Sequence, residues 1–375
     1  MYQRLLITFL SLSLFLGSAF GDATTATRKK KKRRHTTTAT SAVVVRHARR
    51  HVVSSPWKTP TYANSTDGDS VDGEDLVVRR AAVQALGPYN GAVVVVDPNT
   101  GRLLTTVNQK LAFQGSFEPC STIKIVAALA GLSEGVIDGN DLARRRRMNL
   151  TEALAHSNNA YFANVGEKLG YDRIVQYASM LGLGQRAGLD IDGEQPGSIA
   201  SEPPSDGLGM MTSFGEGFYM TPLELAAIVT AVANGGTLYY LQHPRSEEEV
   251  DLFQPSVKRQ LNLSQWLPDI RPGMLGAVEY GTARRIGFSA DDPIFGKTGT
   301  CTDSRSPTHL GWFGSYNEVG DRKLVVVVLL TGGYGVSGPV ASGIAGNVYK
   351  NLAEENYFAR VIRLSPAALI GVPAF

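Results

Sequence analysis

Apolar residues fall along this chain in blocks whose spacing separates strands from helices. Val93–Val96 is an uninterrupted β-branched run and Leu103–Val107 is a second strand-prone stretch. Between them, Asp97-Pro98-Asn99-Thr100-Gly101 supplies turn chemistry, with a glycine free to take positive φ. The two runs predict a buried β-hairpin. Ahead of it, Leu76, Val77, Ala81, Val83 and Leu86 recur at helical spacing until Gly87-Pro88 stops them. A further helix opens at Thr221-Pro222-Leu223-Glu224, where a capping hydroxyl, a proline and a carboxylate three residues past the cap stand in order. It runs to Ala233 and ends at Asn234-Gly235-Gly236. Ile294–Thr300, Gly311–Tyr316 and Leu324–Leu330 read as three late strands, followed by a closing helix over Val340–Leu352. Two early strands, central helices, three late strands and a last helix predict an α/β chain of the α+β type. Its core is a five-stranded antiparallel sheet flanked by helices.

The first residues follow another pattern. Arg4 precedes an apolar run from Leu5 to Phe20, and Ala19-Phe20-Gly21 is a small-x-small sequence that a signal peptidase could cut. Residues 1–21 therefore read as an export signal, with an uncleaved membrane anchor as the alternative. From 22 to 75 the chain is rich in Thr, Ser, Asp and Arg with little periodicity, which predicts a disordered linker. The folded domain is expected over 76–358, with a tail at 359–375.

Charge sharpens this division. The first sixty residues hold twelve Lys or Arg against Asp22 alone, so a net charge of +3 for the chain leaves about −8 on the remainder. The run Arg28–Arg34 opposes simple export, because positive charge next to an apolar segment normally stays cytoplasmic. It reads as a solvated arm or as an adhesive patch for an anionic wall polymer or membrane surface; an exported chain excludes nucleic acid as its partner. With 43% hydrophobic and 19% charged residues, the body has the make-up of an ordinary globular domain.

Candidate chemistry begins at Ser121-Thr122-Ile123-Lys124, which follows Pro119 and continues into the apolar Ile125–Leu129. Serine and lysine three apart on a helix share a face, so the amine can approach the hydroxyl. A serine hydroxyl is a poor nucleophile until a neighbouring base takes its proton, and an amine with a lowered pKa can serve. The pattern alone is weak, since Ser55-Pro56-Trp57-Lys58 also satisfies it. Two later elements strengthen it: Ser157-Asn158-Asn159 between helical stretches, and Lys297-Thr298-Gly299-Thr300 inside a predicted strand. Ser-x-Asn recurs at Ser315-Tyr316-Asn317, but Lys-Thr-Gly occurs once. Each also has a plain structural reading: Ser157 as a turn residue, Asn159 as a helix cap, Thr298 as strand filler. His156 and His309 stand near the motifs and are expected to be ordinary polar packing. Six scattered His and two Cys offer no metal-ligand spacing, and no cofactor is implied.

In this order the three motifs resemble those of penicillin-binding proteins and serine β-lactamases. The flanks extend the likeness over about 93–352: Tyr161-Phe162, Leu181–Gly193, Phe214-Gly215-Glu216-Gly217, Gly281-Thr282-Ala283 and Trp312-Phe313 look most like high-molecular-mass transpeptidase domains. The resemblance implies an all-helical subdomain over the cleft and a D,D-transpeptidase that acts on D-alanyl-D-alanine stem peptides of peptidoglycan. β-Lactams would be its covalent inhibitors. By this likeness Ser121 is the nucleophile, Lys124 its base, Ser157 a proton relay and Lys297 a source of positive field. Asn159, Thr298, Gly299 and Thr300 bind substrate, and the backbone N–H groups of Ser121 and Thr300 form the oxyanion hole.

If the first and third motifs line one cleft, Cys120 and Cys301 face each other, and an exported chain permits a disulfide there; two buried free thiols are the other reading. Some class A carbapenem-hydrolysing β-lactamases carry a bridge at the corresponding positions. No Glu-x-x-Leu-Asn segment lies between Asn159 and Lys297, and the second motif is not Ser-x-Val, so slow hydrolysis is expected. Alternatives are a D,D-carboxypeptidase, a serine β-lactamase, or a non-enzymatic β-lactam sensor. Ser121 and Ser157 are 36 positions apart, shorter than usual in the family, which implies a trimmed helical roof. The expected location is periplasmic or extracytoplasmic, secreted or anchored, with cell-wall synthesis proteins as partners.

Overall fold

The computed structural model describes residues 57–138, 148–287, 289, 291–318 and 322–359. The export signal, the basic run and the tail from 360 onward lie outside the described residues. In chain order the elements are α1 (Leu76–Leu86), β1 (Gly91–Val96), β2 (Leu103–Val107), α2 (Gln109–Gln114), α3 (Lys124–Ser133), α4 (Leu150–Ala155), α5 (Asn159–Leu169) and α6 (Tyr171–Met180). There follow β3 (Ser198–Ile199), α7 (Leu208–Ser213), β4 (Phe218–Tyr219), α8 (Pro222–Ala233), β5 (Thr237–Tyr240), α9 (Glu247–Asp251), β6 (Ser256–Gln260) and α10 (Leu267–Glu279). The last are β7 (Ile294–Thr302), β8 (His309–Asn317), β9 (Val325–Gly332) and α11 (Gly338–Glu354).

The five long strands form one antiparallel sheet in the order β2-β1-β9-β8-β7. This is the sheet expected from the apolar runs, with β7 and β8 each extending one or two residues beyond the predicted ends. The runs are apolar throughout because both faces are covered. Val93, Val95, Val326 and Val328 face α1 and α11, whereas Ala92, Val94, Val96, Val327 and Leu329 face α8 and the helices beyond it. Removing each of these valine or leucine side chains from water contributes about 1.5–3 kcal/mol. At Gly314 the α8 side chains Val229 and Leu225 come within 3.0 and 3.3 Å of where a Cβ would sit, which lets helix and sheet meet closely. The predicted cap of α8 is present in full: Thr221 Oγ1 accepts from Glu224 N–H, and the Glu224 carboxylate accepts from Thr221 N–H. Helices α3 to α7, with α10, pack on one another as the helical subdomain beside the sheet.

One boundary departs from expectation. Residues 57–75, placed in the linker by composition, lie along the sheet and are held by polar bonds. Asn90 N–H donates to Thr61 O at 2.8 Å, and Asp69 accepts from Asn108 N–H and Gln109 N–H at 2.9 and 2.7 Å. Buried Glu74 accepts from Thr105 Oγ1 and Thr106 N–H at 2.7 and 2.8 Å. This segment attaches by satisfying backbone donors more than by burying apolar area, so it carries no hydrophobic periodicity to read.

Candidate active site

The Ser121 turn is built before the helix it opens. Pro119 and a left-handed Cys120 (φ +50°) bend the chain into a 3₁₀ turn over Cys120–Ile123, which runs directly into α3. Serine and lysine thus share a face, and Lys124 Nζ donates to Ser121 Oγ at 2.7 Å. Ser121 Oγ also lies 3.4 Å from Ser213 O, at the end of α7.

The second motif forms the connection between α4 and α5. His156 closes α4, Ser157 takes a left-handed conformation (φ +55°), and Asn158 caps α5 through Tyr161 N–H. This bend turns both motif side chains toward Lys124: its Nζ donates to Asn159 Oδ1 at 2.6 Å, to Ser157 Oγ at 3.2 Å and to Ser157 O at 3.3 Å. The Phe162 and Phe214 rings stand 5.8 and 5.9 Å from the same nitrogen. Lys124 is fully buried, and burial lowers its pKa to about 7.

The third motif lies on β7, at the edge of the sheet, where one set of backbone N–H groups has no neighbouring strand. Lys297 is also fully buried, with Nζ donating to Thr298 O at 2.9 Å. Burial first, and the charge of Lys124 second, push its pKa far down. Two amines in one cleft disfavour each other's charged forms, so their protonation is linked. Thr298 is buried, with its hydroxyl 2.6 Å from that of Thr282, while Thr300 is exposed and its Oγ1 accepts from Gly338 N–H at 2.8 Å. A Cβ on Gly299 would stand 2.9 Å from Pro119 O and 3.2 Å from Cys120 Cβ. The glycine thus lets β7 lie against the Ser121 turn; its crowding comes from the protein itself. Cys120 and Cys301 form a disulfide across that contact, the first of the two readings of the cysteines.

Lys124 thus ties Ser121, Ser157 and Asn159 together, and β7, which carries Lys297 to Thr300, packs against the Ser121 turn. Sequence reasoning gave no role to Thr282, the Ser213 carbonyl or the Phe214 ring, though Thr282 and Phe214 stand in stretches that carry the family likeness. His156 lies against Glu152 and Tyr280, and His309 against Thr302 and two aromatic rings; no bond joins either to the motif residues.

A buried serine hydroxyl thus has an amine at 2.7 Å and lies between a helical subdomain and the edge of an antiparallel sheet, the arrangement that the three motifs lead us to expect. The chain belongs to the penicillin-binding protein transpeptidase family: the model described as "Penicillin binding protein transpeptidase domain" matches residues 91–354. It is similar to Stage V sporulation protein D of Bacillus subtilis, 28% identical over 317 residues that cover 72% of this chain and 48% of that protein. It is also similar to the peptidoglycan D,D-transpeptidase FtsI of Escherichia coli K12, 25% identical over 70% of this chain and 52% of that protein. The chain spans about half the length of the curated relatives it matches. Among solved structures, the transpeptidase domain of Burkholderia pseudomallei penicillin-binding protein 3 shares the fold with a TM-score of 0.62 at 18% identity, covering 75% of this chain and 94% of that one. Pseudomonas aeruginosa PBP2, solved with WCK 5153, superposes with a TM-score of 0.61 at 22% identity, over 80% of this chain and 81% of that one.

Proposed function

We propose that this protein is a serine D,D-transpeptidase that crosslinks peptidoglycan stem peptides outside the cytoplasm, with β-lactams as covalent inhibitors. The observation that carries this reading is the 2.7 Å contact of Lys124 Nζ with Ser121 Oγ, with the amine's pKa drawn down to about 7. Neutral Lys124 takes the Ser121 proton as Oγ attacks the carbonyl carbon of the penultimate D-alanine. Backbone N–H groups of Ser121 and Thr300 receive the negative charge that develops on the carbonyl oxygen. Ser157 Oγ, 3.2 Å from Lys124 Nζ, passes the proton to the departing D-alanine nitrogen as its bond to carbon breaks. The terminal carboxylate lies near Lys297 and the exposed Thr300 hydroxyl, and its negative charge favours protonation of Lys297. An acceptor amine then attacks the Ser121 ester, and the serine leaves with its proton restored. Asn159 holds Lys124 and bonds the substrate amide.

Water as the second attacker would make the enzyme a D,D-carboxypeptidase through the same ester. The β-lactamase reading is weaker, since no Glu-x-x-Leu-Asn segment lies between Asn159 and Lys297. Intact mass measurement after incubation with benzylpenicillin tests the shared step: one adduct on Ser121 is expected, absent in Ser121→Ala. An adduct that persists in that variant sinks the assignment. Failure to release D-alanine from a pentapeptide and to crosslink an added acceptor favours the sensor reading.

A further inference from the structure

Three aromatic rings meet beyond the Cys301 end of β7. Tyr334, in the β9–α11 connection, is 80% exposed and stands edge-on to Trp57 with ring centroids 4.8 Å apart. His309, the first residue of β8, lies 5.7 Å from Trp57 and 5.4 Å from Tyr334. Burial lowers the His309 pKa, so near neutral pH its imidazole is an uncharged ring. The connections that carry these rings are fastened. Lys58 N–H donates to Pro307 O at 3.1 Å, the Thr59 and Thr308 hydroxyls share a bond of 2.9 Å, and Gly333 N–H donates to Thr61 Oγ1 at 3.0 Å. A large side chain held at 80% exposure on an anchored connection gains little folding energy from its position.

We propose that Trp57, His309 and Tyr334 form a saccharide-stacking subsite that holds the glycan from which the donor stem peptide hangs. The inference rests on the transpeptidase reading of Ser121. A pyranose presents a face of polarised C–H groups and a rim of hydroxyls, which matches electron-rich rings interleaved with hydroxyl groups. Those hydroxyls are present: Thr302 Oγ1 lies 3.1 Å from His309 Nδ1, and Tyr334 brings its own. A protein partner fits less well, because three rings supply far less than the roughly 1,000 Å² a stable protein interface buries.

Reach supports the same occupant. Ser121 adjoins Cys120, whose Cα is 5.6 Å from that of Cys301; Thr302 follows Cys301 and pairs with His309 across the strands. These steps bound the Ser121–His309 separation at about 19 Å, by standard Cα spacings and cross-strand distances. The scissile carbonyl belongs to the fourth stem residue, so an extended stem puts roughly 13–14 Å of peptide between Ser121 and the sugar, a reach that falls within this bound.

The test uses peptide-free glycan strands from amidase-digested peptidoglycan, with binding to the full chain measured by calorimetry. Trp57→Ala and Tyr334→Ala should each raise Kd at least fivefold, while Trp57→Phe, which keeps a ring, stays within twofold. Unchanged affinity in both alanine variants, or no binding by the unaltered protein at millimolar glycan, overturns the subsite. The same samples are titrated with benzylpenicillin to show that the Ser121 cleft forms. If Trp57→Ala fails that control, Tyr334→Ala decides, since its exposed ring supports little of the fold. An unaltered protein that acylates but ignores glycan loses only the subsite, whereas one that never acylates loses the transpeptidase reading.

Discussion

Cys120 and Cys301 are joined by a disulfide with their Cα atoms 5.6 Å apart, so the residue before Ser121 is bonded to the residue after Lys297-Thr298-Gly299-Thr300. The bridge spans 181 positions of sequence and crosses the contact where the edge strand meets the Ser121 turn. It links two of the three motifs covalently. The second motif is linked to the first through Lys124, whose amine bonds Ser157 and Asn159.

A loop of this length makes the bridge a large contributor to stability in the chain-entropy account, and loss of a native bridge typically costs about 2–5 kcal/mol. It also holds Cys120 in a left-handed conformation that a non-glycine residue adopts at a cost. The double variant Cys120→Ala, Cys301→Ala should therefore melt at least roughly 4 °C lower. It should also acylate more slowly with benzylpenicillin, because the turn that presents Ser121 is no longer tied to β7. Thermal unfolding and stopped-flow acylation check the two effects; an unchanged acylation rate would show that packing alone sets the turn.

Lys124 gives a pH dependence whose sign follows from its role. The proposed base must be neutral, and its pKa stands at about 7. Acylation should rise about tenfold per pH unit below that value and level off above it. Asn159→Asp puts a carboxylate where an amide oxygen now accepts from Nζ at 2.6 Å. An adjacent negative charge favours the ammonium, so the midpoint should move up by at least about one unit and the rate at pH 7 should fall about fivefold or more. Acylation profiles from pH 5 to 9 for both proteins decide; coincident midpoints would remove Lys124 as the titrating base.

The motifs were legible because each rests on local spacing: Ser121 and Lys124 on one helical face, Lys297 to Thr300 within a strand. The sheet was legible from its apolar runs. What escaped depends on segments meeting across the fold. Thr282 reaches Thr298 at 2.6 Å from a connection after α10, and no local pattern announces a hydroxyl pair. The Ser213 carbonyl reaches Ser121 through backbone alone, so its side chain carried no signal. Residues 57–75 lack the apolar periodicity that marks a packed segment, and Asp69 and Glu74 hold them instead by accepting from backbone N–H groups. A polar segment with buried carboxylates looks, in composition, like one with solvated carboxylates.

Gly299 separates two reasons for a glycine in the third motif: close approach of substrate, expected from the sequence, and close approach of the protein's own chain. A Cβ there would meet Pro119 O at 2.9 Å, a backbone atom that no side-chain rotation can move aside. Gly299→Ala should push β7 from the Ser121 turn, lowering stability by about 1–3 kcal/mol as overpacking does elsewhere. The same displacement carries the Thr300 N–H away from the oxyanion position, so acylation should also slow. If substrate approach were the sole reason, acylation would slow while the melting temperature stayed within a degree of the unaltered protein. Loss of both quantities together is the outcome that the packing of Pro119, Cys120 and Gly299 requires.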